Sequence, residues 1–148
     1  MTGLSIALAS ALYLPPTIPG RNGFEHHCLA EAIYFEARGQ SILDQASVAK
    51  TVLNRVKDSR WPNTICGVTY QFKQMSYTLN KRRKIRELKP WRASVLLAYY
   101  ILRGDIFTGM VWNATHFVEK NTFDSFSNDH WSKRKTVLGR LDGHVFLR

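Results

Sequence analysis

The sequence has few acidic residues, few cysteines and no long hydrophobic run. Only 11 Asp and Glu residues face 21 Lys and Arg residues in 148 positions. Two cysteines, Cys28 and Cys66, exclude a disulfide-rich scaffold and an all-cysteine zinc site, and are compatible with one disulfide or with two reduced thiols. The uncharged run at 3–14 is far shorter than the roughly 18 residues that suggest a membrane-spanning helix, and no basic residue precedes it. We expect residues 1–23 to form an apolar arm or a short helix, and residues 24–148 to form one domain.

Positive charge is abundant, and the net charge is +10. Such a surface concentrates polyanions, which include nucleic acids, anionic membranes and acidic wall polymers. The basic runs at 81–86 and 133–135 lack an accompanying nucleic-acid-binding motif, so we expect them to be solvated surface and predict no nucleic-acid partner. Five histidines occur without a short metal-ligand spacing, and we therefore expect neither a metal nor a cofactor.

Apolar spacing predicts a mostly helical α+β fold. Stripes at three- and four-residue intervals predict a helix over 25–38 that Gly39 ends, and a second helix that Ser41 caps and that stops before Trp61. The segment 63–80 has no sustained period and is expected to be an ordered loop or a short helix. A third helix is predicted with Pro90 in its first position, ending at Gly104.

A small antiparallel hairpin or sheet is predicted near the C-terminus. Residues 111–118 alternate and favour strand, while the apolar residues 145–147 follow the turn dipeptide Asp142-Gly143. Minor strands after three helices predict a helical core with a small sheet against it.

Glu36 is the candidate catalytic acid. It lies near the C-terminal end of the first predicted helix beside Tyr34 and Phe35, where the negative helix end and an apolar wall both disfavour ionisation. A protonated glutamic acid is the usual proton donor in glycosidic bond cleavage. The alternative is a surface ion pair with Arg38 or Arg55. Glu31, five residues earlier, is expected on a different part of the helix surface.

Several blocks of the sequence resemble the SleB-like cell-wall hydrolases, a family of spore-cortex lytic enzymes and phage endolysins. The first block is Cys28-Leu-Ala-Glu-Ala-Ile-Tyr-Phe-Glu-Ala-Arg-Gly39. Further similar blocks lie at 45–49, 52–56, 62–68, 74–78, 114–117 and 143–146. The resemblance covers nearly everything from Glu25 onward. This sequence departs from the family pattern at Gln40, where an acidic residue is usual, and at Met75, where Phe is usual.

The resemblance implies a lysozyme-like fold that cuts the glycan strand of peptidoglycan, commonly as a lytic transglycosylase. The family's catalytic acid falls on Glu36. Ser76, Tyr77, Thr115 and His116 match positions expected along the glycan groove, although each is equally compatible with a packed core role. Trp131 is either a core cap or a sugar platform. The absence of an acid at Gln40 puts a second carboxylate in doubt, but one carboxyl suffices for a transglycosylase.

The resemblance also sets expectations for partner, location and alternatives. Peptidoglycan is the expected substrate of a monomer that acts on the bacterial cell wall in the periplasm, with anionic outer-membrane or wall polymers held by the basic surface. Small size and charge favour a phage endolysin, made in the host cytoplasm and released to the wall for host lysis. The alternatives are a muramidase, an N-acetylmuramoyl-L-alanine amidase that assembles zinc from distant histidines, and a non-catalytic cationic wall-binding protein.

Overall fold

A computed structural model describes residues 21–71, 73–104 and 109–148, which form helices and three short strands. The α-helices are α1 (Arg21–Ala37), α2 (Ile42–Val56), α3 (Ile65–Thr69), α4 (Leu88–Leu102) and α5 (Lys120–Ser125). The strands are β1 (His116–Glu119), β2 (Val137–Arg140) and β3 (His144–Leu147), and 3₁₀ turns span Ser76–Leu79, Gly109–Val111 and Trp131–Arg134. The fold is thus mostly helical α+β, as predicted. Within the described ranges, no helix is long and apolar enough to cross a membrane.

Helix α1 is the centre of the helical core. Leu29, Ala30, Ala32 and Ile33 are fully buried and pack with α2, α3 and α4. The helix begins at Arg21, four residues before the predicted start, and Gly39 follows its end with φ of 84°, a conformation that glycine adopts without a steric penalty. The apolar arm predicted for residues 1–23 lies outside the described residues up to position 20.

A disulfide and a carboxylate fasten α3 to α1. Cys28 and Cys66 are bonded, with their Cα atoms 5.3 Å apart, which decides between the two alternatives that the cysteine count left open. The Glu25 carboxylate accepts a hydrogen bond from the Ile65 amide at 2.5 Å, at the start of α3. The Cys28–Cys66 disulfide closes a loop with a sequence separation of 38. By loop-closure entropy it stabilises the fold by about 4 kcal/mol.

The three strands form one antiparallel sheet in the order β1-β3-β2. Strand β3 is buried along its whole length, and Phe117 pairs with Phe146 across the β1-β3 ladder. Asp142 and Gly143 lie in the turn between β2 and β3, which confirms the predicted hairpin. Strand β1 is shorter than the pattern at 111–118 suggested, because residues up to Val111 form a 3₁₀ turn instead.

Pro90 is the third residue of α4, not the first as predicted. This placement is tolerated because the first-turn amides of a helix have no intrahelical acceptor, so the missing N–H of proline costs nothing there. The segment 63–80 resolves into the short α3 and a 3₁₀ turn, in agreement with the expected loop or short helix.

Candidate active site

Glu36 is the next-to-last residue of α1, and one oxygen of its carboxyl is buried without a partner. The Oε1 atom is inaccessible and makes no hydrogen bond. Burial raises the pKa of this carboxyl, and the nearby His144 lowers it in part. An unpaired buried polar group costs about 1–3 kcal/mol, so this arrangement is unusual in a purely structural residue. A carboxyl with a raised pKa and an unpartnered oxygen is suited to donate a proton to a ligand.

The two arginines proposed as alternative partners of Glu36 are engaged elsewhere. Arg38 pairs with Glu87 at 2.7 Å on the surface. Buried Arg55 donates from Nε to the Thr115 carbonyl at 2.7 Å and from Nη1 to the Gln74 side chain at 3.3 Å. The surface ion-pair interpretation of Glu36 is therefore wrong.

A second carboxyl, Asp44, holds His144 beside the acid. Asp44 lies in the first turn of α2 and is fully buried. Its Oδ1 is 2.6 Å from His144 Nδ1, and its Oδ2 accepts from the amides of Gly143 and His144 at 2.9 and 3.0 Å. These contacts join the start of α2 to the start of β3, and fix the imidazole that lowers the pKa of Glu36.

Asp44 and His144 are functional candidates that sequence reasoning missed. Asp44 was expected to act with Ser41 at the helix start, and Ser41 Oγ does accept from the Asp44 amide at 3.2 Å. The Asp44 carboxylate, however, turns inward to the β2-β3 turn. The Asp142 carboxylate instead accepts a hydrogen bond from the Ser41 amide at 2.7 Å. The signal was the pair Gly143-His144 in a block that resembled the family, but nothing local linked it to a residue about 100 positions earlier.

Tyr77 lies near Glu31 and Glu36, two of the three glutamates of α1. Its ring stacks on Phe35 with 5.0 Å between centroids, and its buried hydroxyl has no hydrogen-bond partner. Burial, and then the charges of Glu31, Tyr70 and Glu36, raise its pKa well above the usual value. Sequence analysis set Glu31 on a different part of the helix surface from Glu36, yet both carboxyls are close enough to act on the same tyrosine.

Glu31 differs from Glu36 in having several partners. The Tyr70 hydroxyl donates to its Oε2, and His27 lies 3.5 Å from its Oε1. Burial alone would raise the pKa of Glu31, but these hydrogen bonds and the nearby Arg83 outweigh it and lower the pKa. Glu31 therefore stays ionised, and Glu36 is the better proton donor of the two.

Thr115 and His116 form a separate group around strand β1. Thr115 Oγ1 and His116 Nδ1 are 3.0 Å apart, and the His116 ring lies between Trp61 and Trp131 at 5.7 and 5.5 Å. Because strand side chains alternate, it is Phe117 and not His116 that reaches His144, at 5.3 Å. Burial and the charges of Arg55, Lys135 and Arg60 lower the pKa of His116 to about 4, so the ring is neutral near pH 7.

The predicted binding residues thus fall into two groups. Tyr77 lies near Glu36, whereas Thr115 and His116 lie at the start of β1. Ser76 is exposed, at the start of the 3₁₀ turn that contains Tyr77. Arg55 links the two groups, because it donates hydrogen bonds to the Thr115 carbonyl and to the side chain of Gln74, which lies shortly before Tyr77 in the chain. Trp131 is 44% exposed, which fits a platform better than a core cap.

Among the described residues, no cluster of three or more His, Cys, Asp or Glu side chains is arranged to hold a metal ion. His144, the most deeply buried of the histidines, has its Nδ1 taken by Asp44.

Comparison with known proteins agrees with this architecture. The spore cortex-lytic enzyme of Bacillus cereus is 38% identical over 140 residues, which cover 90% of this chain and 50% of that protein. The spore cortex-lytic enzyme of Oceanobacillus iheyensis is 28% identical over 95 residues, which cover 57% of this chain and 34% of that protein. The chain therefore spans about half the length, or less, of these curated relatives.

Solved structures show the same fold. The catalytic domain of the Bacillus cereus SleB protein superposes with a TM-score of 0.66 at 22% identity, over 90% of this chain and 95% of that one. The catalytic domain of the germination-specific lytic transglycosylase SleB from Bacillus anthracis gives the same score and identity, over 90% and 99%.

The family assignment comes from a match that spans most of the chain. The model of the cell wall hydrolase family matches residues 39–147. The match begins three residues after Glu36, so the role of that carboxyl is argued from its geometry. Fold, curated relatives and family match agree, and the chain belongs to the cell wall hydrolase family.

Proposed function

We propose that this protein cleaves the bond between N-acetylmuramic acid and N-acetylglucosamine in peptidoglycan, as a lytic transglycosylase. The observation that carries the proposal is the Glu36 carboxyl, buried at the end of α1 with a raised pKa and an unpartnered Oε1. The related SleB of Bacillus anthracis is described as a lytic transglycosylase, which supports this reaction over simple hydrolysis.

One carboxyl can serve both halves of the reaction. Protonated Glu36 donates to the glycosidic oxygen as the bond from that oxygen to the muramyl anomeric carbon breaks. The muramyl acetamido oxygen stabilises the positive charge that develops at this carbon. Ionised Glu36 then accepts the proton of the muramyl C6 hydroxyl, whose oxygen bonds to the anomeric carbon and closes an anhydro ring. No water is consumed, and Glu36 ends protonated, as it began.

His144 and its partner Asp44 support the second half of this cycle. In that half Glu36 carries a negative charge on a carboxyl that is largely removed from water, where an isolated charge is unfavourable. The imidazole lowers the pKa of Glu36 and so eases its ionisation, while burial favours the protonated form needed first. The two opposing influences keep both protonation states accessible, as a group that acts as acid and then base requires.

Product analysis tests the proposal. Purified peptidoglycan would be treated with the wild type, with Glu36→Gln, and with Glu87→Gln as an exposed matched control, and the soluble products identified by mass spectrometry. We expect anhydro-muropeptides from the wild type and the control, and none from Glu36→Gln. Reducing muramic ends would establish a muramidase instead, and stem peptides released from intact glycan would establish an amidase.

We further propose the role that the sequence predicts for this enzyme, that of a phage endolysin. The curated relatives above are named for the spore cortex, whereas an endolysin must cut the wall of a growing cell. The net positive charge of +10 favours the endolysin role. Comparing initial rates on vegetative sacculi and on purified cortex tests it, because a preference for cortex would contradict an endolysin.

A further inference from the structure

Unpartnered buried polar atoms are concentrated in one part of the molecule. Within the described ranges they are Glu36 Oε1, Gln71 Oε1, Tyr77 OH and Arg83 Nε. Three of the four lie in the segment 71–83, outside regular α-helix. Buried polar groups are nearly always hydrogen-bonded, and a ligand that supplies the missing partners is the simplest explanation when several exceptions lie in one segment.

The Arg83 guanidinium packs against two tyrosine rings. Its Cζ lies 5.3 Å from the Tyr70 centroid and 5.4 Å from the Tyr77 centroid, and Nη2 donates to the Tyr70 hydroxyl at 2.5 Å. Nη1 reaches the Asn80 carbonyl at 3.4 Å. These contacts fix the guanidinium and leave the Nε–H unused, next to the tyrosine whose hydroxyl is also unused. Tyr77 in turn stacks on Phe35, the neighbour of Glu36.

The charges around Arg83 favour a neutral ligand. Arg83 Nη2 is 4.0 Å from Glu31 Oε2, and Glu31 keeps its negative charge because its pKa is lowered. The arginine charge is therefore already balanced, and an anionic ligand would also meet Glu31. A neutral group that bears a carbonyl acceptor matches the two free donors, Arg83 Nε–H and Tyr77 O–H.

We propose that Arg83 and Tyr77 bind the acetamido group of a glucosamine residue in the glycan strand. The inference rests on the proposed function for the identity of that strand. In the proposed reaction the acetamido oxygen of the reacting muramyl unit turns inward to its own anomeric carbon. At the cleaved bond, the acetamido group left for the protein therefore belongs to the adjoining glucosamine. Its carbonyl oxygen accepts from the Arg83 Nε–H and the Tyr77 hydroxyl. A sugar with a hydroxyl in that position lacks the carbonyl that reaches both donors.

Binding of two uncharged trisaccharides tests this assignment. Tri-N-acetylchitotriose and cellotriose share a β-1,4 backbone and differ in the acetamido group, so their affinities for Glu36→Gln protein can be compared by NMR titration. We expect about tenfold tighter binding of the N-acetylated sugar, the effect of roughly one net polar interaction. Arg83→Met in the same background should reduce the difference to about threefold or less. Arg82→Met, which removes an exposed positive charge at the adjacent position, should leave it unchanged.

A second variant separates binding from folding. Tyr77→Phe removes a hydroxyl that has no internal partner, so its unfolding midpoint in urea should be unchanged or higher, while binding of the N-acetylated sugar weakens. A structural role for this hydroxyl would instead lower the midpoint.

Three outcomes would overturn the inference: equal binding of the two sugars to the Glu36→Gln protein, no binding of either, or equal effects of Arg83→Met and Arg82→Met. A failure of the proposed function is a different result. It would be seen as uncut glycan in the product analysis, whatever the measured affinities for the two trisaccharides.

Discussion

Half-buried Glu36 and fully buried Asp44, eight positions apart, have carboxyls with opposite surroundings. Asp44 accepts hydrogen bonds from two amides and lies 2.6 Å from a histidine nitrogen, so each of its oxygens has a partner. Glu36 has an Oε1 atom with no partner at all. The pairing of Asp44 stabilises the native structure, whereas Glu36 is left ready to react at a cost in stability. Burial alone does not distinguish the candidate acid from Asp44; the buried oxygen without a partner does.

The largest expected effect is on the reaction rate. Glu36→Gln keeps the shape of the side chain but cannot donate and then accept a proton, so we expect release of soluble fragments from dye-labelled peptidoglycan to fall about a thousandfold. Glu87→Gln, which alters an exposed glutamate paired with Arg38, should remain near the wild-type rate. A Glu36→Gln rate within about tenfold of the wild type would remove Glu36 from the mechanism.

Asp44→Ala should cause the largest loss of stability. It leaves buried donors of Gly143 and His144 without an acceptor, and we expect the free energy of unfolding to fall by about 3–5 kcal/mol in urea titrations. Asp142→Ala is the matched control at an exposed aspartate that also bonds to the α2 start, with an expected loss of about 1 kcal/mol or less. Equal losses would mean that the buried network adds nothing beyond a surface helix cap.

The same comparison predicts a pH-dependent stability difference for Glu36→Gln. Because burial raises the pKa of Glu36 in the folded state, the unfolded carboxyl ionises first as pH rises, and the wild type loses stability through this window. Below the ordinary glutamate pKa of 4.5 the carboxyl is protonated in both the folded and the unfolded protein, so the difference between variant and wild type should be smallest there. We expect Glu36→Gln to become progressively more stable than the wild type above this pH, in thermal unfolding at several pH values. A difference that shrinks with rising pH would contradict the raised pKa.

The smallest expected effect is a shift of the pH-rate profile in a variant of His144, the residue that contacts Asp44 and lowers the pKa of Glu36. The imidazole lowers the pKa of Glu36, so His144→Gln should raise that pKa and move the alkaline limb of the pH-rate profile to higher pH. The measurement is the initial rate against pH, with His130→Gln as a control on a histidine that stacks on Phe126 instead. A limb that moves to lower pH would show that His144 does not assist ionisation of Glu36.

Much of the helical part of this protein was predictable because its signals are local. The apolar stripe of α1, the stop at Gly39 and the cap at Ser41 each depend on residues within a few positions of one another, and each prediction was confirmed. The start of α4 was wrong by two residues, because proline fits several positions of a first turn equally well.

The candidate site was predicted only in part. Glu36 was predicted from a helix end, its aromatic neighbours and a resemblance, and Tyr77 from the resemblance alone. The structure places the two side chains close enough for the charge of Glu36 to raise the pKa of Tyr77. The interpretation of Asp44 as a helix-start residue was incomplete, since its carboxylate binds a turn that comes a hundred positions later. Arg83 looked like one member of a solvated basic run, and only its packing against Tyr70 and Tyr77 distinguishes it from Arg82.

The sequence by itself determined where helices form and end, that a hairpin turns at Asp142-Gly143, and that Glu36 stands at a helix terminus. Spacing, turn chemistry and caps act over a few residues and are written in the order of the chain. The tertiary structure decided which carboxyl is paired and which is left without a partner. That choice depends on contacts between residues 40 to 100 positions apart, and on the low polarity that only a packed interior provides.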